Sequence, residues 1–157
     1  MFCEGRDAGF LYSVKEMGFE YRFGSQNNRV LRLTADLHGV IDGKQTCPGF
    51  KMSYFKTRAL GKVNRKDGRE TGNFFIGPGV SAGYVRDKGR DYGIMGAFCT
   101  NIGYDFKLEG GASIRIGLEG ELGLHVIGKD AHDTSLTLYK NGIVKALIPQ
   151  ISINYQF

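Results

Sequence analysis

Hydrophobic and polar residues alternate in two-residue steps along most of this chain, and the run from Ile143 to Phe157 does so most plainly. Ile143, Leu147, Pro149, Ile151, Ile153, Tyr155 and Phe157 share one face, broken only by Lys145, while Val144, Ala146, Ile148, Gln150, Ser152, Asn154 and Gln156 share the other. Successive side chains of a strand point to opposite faces, so the pattern predicts a strand with one oily side and one side that turns polar. A tilted strand of about 9–11 residues suffices to cross a bilayer, and terminal aromatics such as Tyr155 and Phe157 suit the membrane–water interface.

The same period recurs upstream. Residues 113–126 place Ile114, Ile116, Leu118, Leu122, Leu124 and Val126 outward against Arg115, Gly117, Glu119, Glu121, Gly123 and His125 inward. Residues 92–106 oppose Tyr92, Ile94, Phe98, Ile102, Tyr104 and Phe106 to Met95, Ala97, Cys99, Asn101, Gly103 and Asp105. Residues 74–85 set Phe74, Ile76, Val80 and Tyr84 outward and Gly77, Gly79, Ser81 and Gly83 inward. Two further strands are predicted over 17–23 and 29–41, the second opposing Leu31, Leu33, Ala35 and Leu37 to Arg32, Thr34, Asp36 and His38. A weaker one follows over 50–60. Loops or turns are expected at 24–28, 42–49, 61–73, 86–91, 107–112 and 128–141, where glycine and polar residues cluster. That gives seven strands, and a bacterial single-chain barrel needs an even number. The eighth must lie within residues 2–14, where Ala8–Ser13 is the only candidate, or be missing. Pro78 and Pro149 fall inside strand patterns and are expected to mark bulges, since proline cannot donate to a ladder.

The predicted fold is therefore all-β, a single domain over residues 1–157: an antiparallel up-and-down transmembrane β-barrel of nominally eight strands. Composition changes this picture little. Gly is abundant at 24, Tyr and Phe number 8 and 11, and Pro is scarce at 3. No apolar run approaches the ~18 residues of a membrane helix. A mean hydropathy of −0.24 has little power where only alternate residues would meet lipid. The net charge of +5 permits nucleic acid, but the basic residues are scattered and form no clustered face, so no nucleic-acid partner is expected. Cys3, Cys47 and Cys99 have no metal-type spacing and are odd in number, which forbids complete internal pairing. The chain start lacks a basic segment followed by an apolar one; a membrane barrel must be exported, so a signal peptide encoded upstream of Met1 is expected.

Residues 73–87 (NFFIGPGVSAGYVRD), residues 138–143 (LYKNGI) and the terminal Tyr155-Gln156-Phe157 resemble the small outer-membrane β-barrel proteins of Bacteroidales, over about Gly18 to Phe157. The final Tyr-x-Phe also resembles the C-terminal signature of bacterial outer-membrane barrels. The resemblance implies eight strands, location in the bacterial outer membrane with the C-terminus periplasmic, and no assigned activity. It places the loops at 42–49, 86–91 and 128–141 outside, where an unidentified extracellular ligand could be met, and the turns at 24–28, 61–73 and 107–112 on the periplasmic side.

Charged residues collect on the inward faces: Glu20 and Arg22, Arg32 and Asp36, Asp105, then Arg115, Glu119 and Glu121. In an eight-stranded barrel, barely wide enough for its side chains, these should pair across the lumen and close it. Arg115 is expected to meet Glu119 or Glu20. Glu119 and Glu121 could instead serve as general acid and base, since neighbouring like charges push one pKa upward, but Arg115 and Arg22 stand near enough to neutralise them. A lipid-modifying enzyme would use His125 or His38 as base and Ser135 or Ser81 as nucleophile; no motif sets that geometry. Metal binding by His125 and His132 with Asp130 and Asp133 is weaker again. A soluble lipocalin-like carrier would invert the faces, apolar in and polar out. The expectation is a monomeric, non-enzymatic barrel with a plugged lumen, no catalytic, metal or cofactor-binding residues, and membrane lipid as its partner.

Overall fold

The computed structural model describes residues 6–13, 16–24, 28–41, 43, 47–64, 70–86, 92–127 and 143–157. They form nine strand segments: β1 (Asp7–Ser13), β2 (Glu16–Phe23), β3 (Arg29–Asp36), β4 (Gly49–Lys56), β5 (Arg58–Asn64), β6 (Glu70–Arg86), β7 (Tyr92–Lys107), β8 (Ala112–Ile127) and β9 (Ile143–Gln156). β4 and β5 are one strand interrupted at Thr57, because both pair with β6 in a common register, Phe55 opposite Gly79 and Arg58 opposite Ile76. Every neighbour in the sheet is antiparallel, and β1 pairs with both β2 and β9. The architecture is a closed eight-stranded up-and-down barrel.

Closure rests on a segment that looked doubtful in the sequence. Ala8–Ser13 is present as part of β1, bonded along its length to β9 from Asp7–Gln156 to Ser13–Gln150. The seam continues one step further, where the Phe157 amide donates to the Arg6 carbonyl at 3.1 Å. The pattern was weak there because Gly9 takes an inward position where no hydrophobic or charged side chain marks the parity. A Cβ on Gly9 would collide with the Ile153 carbonyl.

Register fixes the size of the barrel. From Asp7, the paired positions run through Arg22, Val30, Phe55, Gly79, Cys99 and Glu121 to Ala146, ten positions before Gln156, the residue that itself faces Asp7. With ordinary strand spacings, eight strands and a stagger of ten give a tilt of about 40° and a backbone radius of about 8 Å. Side chains alone fill such an interior.

Three sequence expectations are corrected. The strand predicted over 29–41 stops at Asp36, and His38–Ile41 is instead a single helical turn, α1; alternation in so short a stretch does not separate strand from turn. The connection predicted over 61–73 is mostly strand, since β5 runs to Asn64 and β6 starts at Glu70; charge and glycine had hidden the pairing. Pro78 and Pro149 are not bulges. Pro78 faces Thr100 and Pro149 faces Leu118 with the register unbroken on either side. Pro78 stands beside the break at Thr57, between the pairs of β4 and those of β5, and Pro149 lies one residue beyond Gln150, the last β9 residue of the described β1–β9 ladder. A residue without an N–H loses least where no ladder bond needs it. The register shifts that do occur fall in β5, between Ala59 and Gly61 and between Val63 and Asn64.

Strand ends joined by residues 37–48, 87–91 and 128–142 lie at one end of the barrel; those joined by 24–28, 65–69 and 108–111 lie at the other, with the start of β1 and the end of β9. The β7–β8 turn is tight, with Gly110 and Gly111 at φ of 82° and 84°, a region that favours glycine.

Inward glycines serve closeness of approach. A Cβ on Gly83 would strike the Phe50 carbonyl and the Lys51 backbone, whereas one on the outward Gly120 meets nothing within 4 Å. Gly83→Ala should therefore lower stability by about 1–3 kcal/mol, the usual range for overpacking. Gly120→Ala should stay within about 0.5 kcal/mol of the parent. Urea titration of the folded protein checks both.

Candidate functional site

Among the described residues, most ionisable and amide side chains of the strands gather in the lumen. Parity sends alternate residues inward, and among the described residues those buried are mostly polar: seven acids (Asp7, Glu16, Glu20, Asp36, Asp105, Glu119, Glu121), four bases (Arg22, Arg32, Lys51, Arg115) and a set of Ser, Thr, Asn and Gln side chains. Buried hydrophobics are few: Leu11, Val30, Phe55, Phe75, Met95, Ala97 and Cys99. Cys99 packs with Val30 and Phe55 as a small apolar filler, and its thiol is free.

Arg32 on β3 occupies the centre. Its Nε donates to Glu20 on β2 at 2.6 Å, and its Nη1 donates to Glu119 on β8 at 2.9 Å and to Gln150 on β9. The Gln150 amide in turn donates to Glu119, and the guanidinium lies 5.0 Å from the centre of the Phe55 ring. One side chain thus ties four strands together across the lumen.

Towards the termini, Arg22 donates to Glu20 at 2.8 Å and stands 3.3 Å from Asp105. Asn154 and Ser152 also donate to Glu20, each at 3.2 Å. Arg115 grips Asp105 with two parallel hydrogen bonds, Nε to Oδ1 and Nη2 to Oδ2, and lies 3.9 Å over the Phe75 ring. The expected partners of Arg115, Glu119 and Glu20, are replaced by Asp105, its direct register partner on β7. Parity assigns a face, but only the register says which strand position stands opposite.

Towards the other end, Lys51 on β4 reaches Glu121 at 2.8 Å, Glu16 at 3.0 Å and Glu119 at 3.8 Å. Ser81 donates to Glu121 at 3.2 Å. Glu119 and Glu121 share a face as expected, yet each is held by a cation, Arg32 and Lys51, rather than left as an acid and base pair. Oε2 of Glu16 and Oε1 of Glu119 are buried without a hydrogen-bond partner among the described residues.

Lys51 was not singled out in the sequence. The signal was there, since Phe50, Met52 and Tyr54 alternate with Lys51, Ser53 and Phe55, but basic residues on either side made that strand look weak. Gln150, Ser152 and Asn154 follow the polar face of β9 as expected and lie inside. Of the residues weighed for catalysis or metal binding, Ser81 is spent on Glu121, the side chains of His38 and His125 lie outside the described set, and Asp130, His132, Asp133 and Ser135 lie outside the described residues. Among the described residues no group of His, Cys, Asp and Glu is placed to hold a metal ion. Comparison with protein families, characterised proteins and solved structures finds no match to this chain.

Chemically, the arrangement is a cross-linked plug of alternating charge. Removing one member of a buried pair strands the other charge, at a cost of about 3–5 kcal/mol. Arg115→Ala should thus destabilise the barrel by about that amount, whereas Arg115→Ala combined with Asp105→Asn should lose clearly less than the sum of the two single changes. A double-mutant cycle by denaturant titration measures the difference. Planar-bilayer recording of the parent should give no steady ion conductance.

Proposed function

We propose that the protein is an integral barrel of the bacterial outer membrane with a filled lumen, acting as a structural or surface-displayed component rather than as a pore or an enzyme. The observation that carries this reading is the inversion of polarity. Charged and amide side chains fill the interior, while large hydrophobics stand on the outer wall, among them Phe98 at 78%, Leu147 at 70%, Phe10 at 69% and Ile94 at 66% exposed. A soluble carrier of the lipocalin type needs the reverse, and an apolar surface of this extent in water would associate or aggregate.

The dimensions agree. At the tilt set by the register each residue rises about 2.5 Å along the axis. The outward run Phe74, Ile76, Pro78, Val80, Ala82 and Tyr84 on β6 then makes a band about 25 Å tall, the height usual for outer-membrane barrels. Aromatic rings gather at the terminal-bearing end of that band: Phe74 against Tyr104 at 4.8 Å, Tyr104 against Phe106 at 4.6 Å, and Tyr21 stacked on Phe23 at 5.6 Å. Such a girdle suits a membrane–water interface. Backbone closure supports the reading too, since a sheet in hydrocarbon needs every edge paired. The resemblance of residues 73–87 and of the terminal strand to small barrels of Bacteroidales points the same way, with the C-terminus on the periplasmic side and the chain exported through a signal peptide.

Leu118 stands on the outer wall opposite Ile102 and Pro149, near mid-band. Leu118→Arg should impair folding into lipid vesicles, since a cation at the bilayer midplane costs ~2–4 kcal/mol in a barrel of this kind. The measurement is the folded fraction after dilution from urea into phosphatidylcholine vesicles. A variant that folds as well as the parent and stays monomeric in detergent-free buffer would refute a lipid-facing wall.

A further inference from the structure

The outer wall is not uniformly apolar, and its charged exceptions among the described side chains all have one sign. Every acidic side chain that the structure places on a described strand face points into the lumen, whereas Arg29, Lys56 and Arg58 are exposed on the outside. Arg29 and Lys56 are direct register partners across β3 and β4, and Arg58 follows two residues along the same face. Opposed residues have their Cβ atoms about 4.5–5.5 Å apart, and the step from Lys56 to Arg58 is about 7 Å. At that spacing the three long side chains are within reach of a common ligand. No ion-pair partner for any of them occurs among the described residues, and like charges set directly opposite one another repel.

Their surroundings are apolar. Phe23 faces Arg29 on one side, Ile76 faces Arg58 on the other, and the Leu31–Tyr54 pair lies above. The triad sits at the end of the barrel that carries the start of β1 and the end of β9, at the level where the rest of the circumference bears Tyr21, Phe23, Phe74 and Tyr104. Among the described outward-facing residues at this level, cations stand at β3, β4 and β5, and aromatic or aliphatic side chains elsewhere.

We propose that Arg29, Lys56 and Arg58 form a binding site for the phosphate of an anionic phospholipid, whose acyl chains lie along the Leu31–Tyr54 face. The inference rests on the reading of the outer wall as lipid-facing. Two guanidinium forks can each take a pair of phosphate oxygens, and the ammonium adds a point charge between them. A phosphate there relieves the Arg29–Lys56 repulsion, which no described residue compensates. An acidic protein partner would satisfy the charge but would leave the flanking Phe23, Ile76 and Leu31 without hydrocarbon to cover them. A phosphodiester with tails satisfies both.

The test uses the full chain in two steps. Flotation with pure phosphatidylcholine vesicles first asks whether the protein enters a bilayer at all; failure there overturns the lipid-facing wall itself. Native mass spectrometry from mixed micelles then compares retained phosphatidylglycerol with phosphatidylcholine. The parent is expected to keep one phosphatidylglycerol preferentially, with Arg29→Gln, Lys56→Gln and Arg58→Gln each lowering that preference by about fivefold. Lys107→Gln, at the same end but on the inward parity of β7, should leave it unchanged. The three site variants should match the parent in urea titration, since none of those residues faces the lumen. A parent that floats yet retains both lipids equally, or a folded triple variant with unchanged preference, overturns the site. Loss of the bound lipid to millimolar inorganic phosphate would overturn a phospholipid as the occupant.

Discussion

The structure depends on Arg32 more than on any other side chain. A barrel about 8 Å in backbone radius has room inside for side chains and little else, and Arg32 fills its centre at 2% exposure. From there it holds Glu20, Glu119 and Gln150, three residues on three other strands. Glu20 passes the linkage to Arg22, and Arg22 to Asp105, which Arg115 grips. Glu119 connects in the other direction to Lys51 and through it to Glu121 and Glu16. The charges alternate along this chain, so each carboxylate is met by a cation where neither has water to turn to. A buried ion pair is weak evidence for stability compared with an apolar core. Here it performs a different task, because an oily lumen inside an oily wall would leave no difference between the faces to fix the register.

Closure and polarity inversion follow from the same constraint. With the polar groups committed to the inside, the outer wall is left to hydrophobic residues. Such a wall is compatible with a bilayer only if no strand edge is left open. The short β1 meets that need by pairing on both sides. Glycine serves the same compact wall, since at inward positions such as Gly9 and Gly83 a Cβ would strike the backbone of the neighbouring strand.

Much of this was legible in the sequence, and the parts that were not share a cause. Two-residue periodicity assigned Glu20, Arg22, Arg32, Asp105, Arg115, Glu119 and Glu121 to the lumen and Ile116, Leu118, Phe98 and Ile153 to the wall, as the structure has them. It could not assign partners, because register is a relation between two strands: Arg115 meets Asp105, not Glu119 or Glu20. The same gap turned Pro78 and Pro149 into expected bulges when they sit beside a break or an end in a neighbouring described ladder. Lys51 escaped notice because Lys56 and Arg58 on the outer face blur the alternation of its strand. Those two cations, a flaw in the pattern when met as sequence, become with Arg29 the most pointed feature of the outer wall.

The lipid-facing wall is tested most directly by single-tryptophan quenching, for which this chain is suited because it contains no tryptophan of its own. Phe98→Trp places the reporter on the wall and Met95→Trp places one in the lumen, on the same strand and three residues apart. In vesicles made with brominated phosphatidylcholine, the account predicts strong quenching and blue-shifted emission for Phe98→Trp and little quenching for Met95→Trp. Water-like, unquenched emission from a folded Phe98→Trp protein would contradict it.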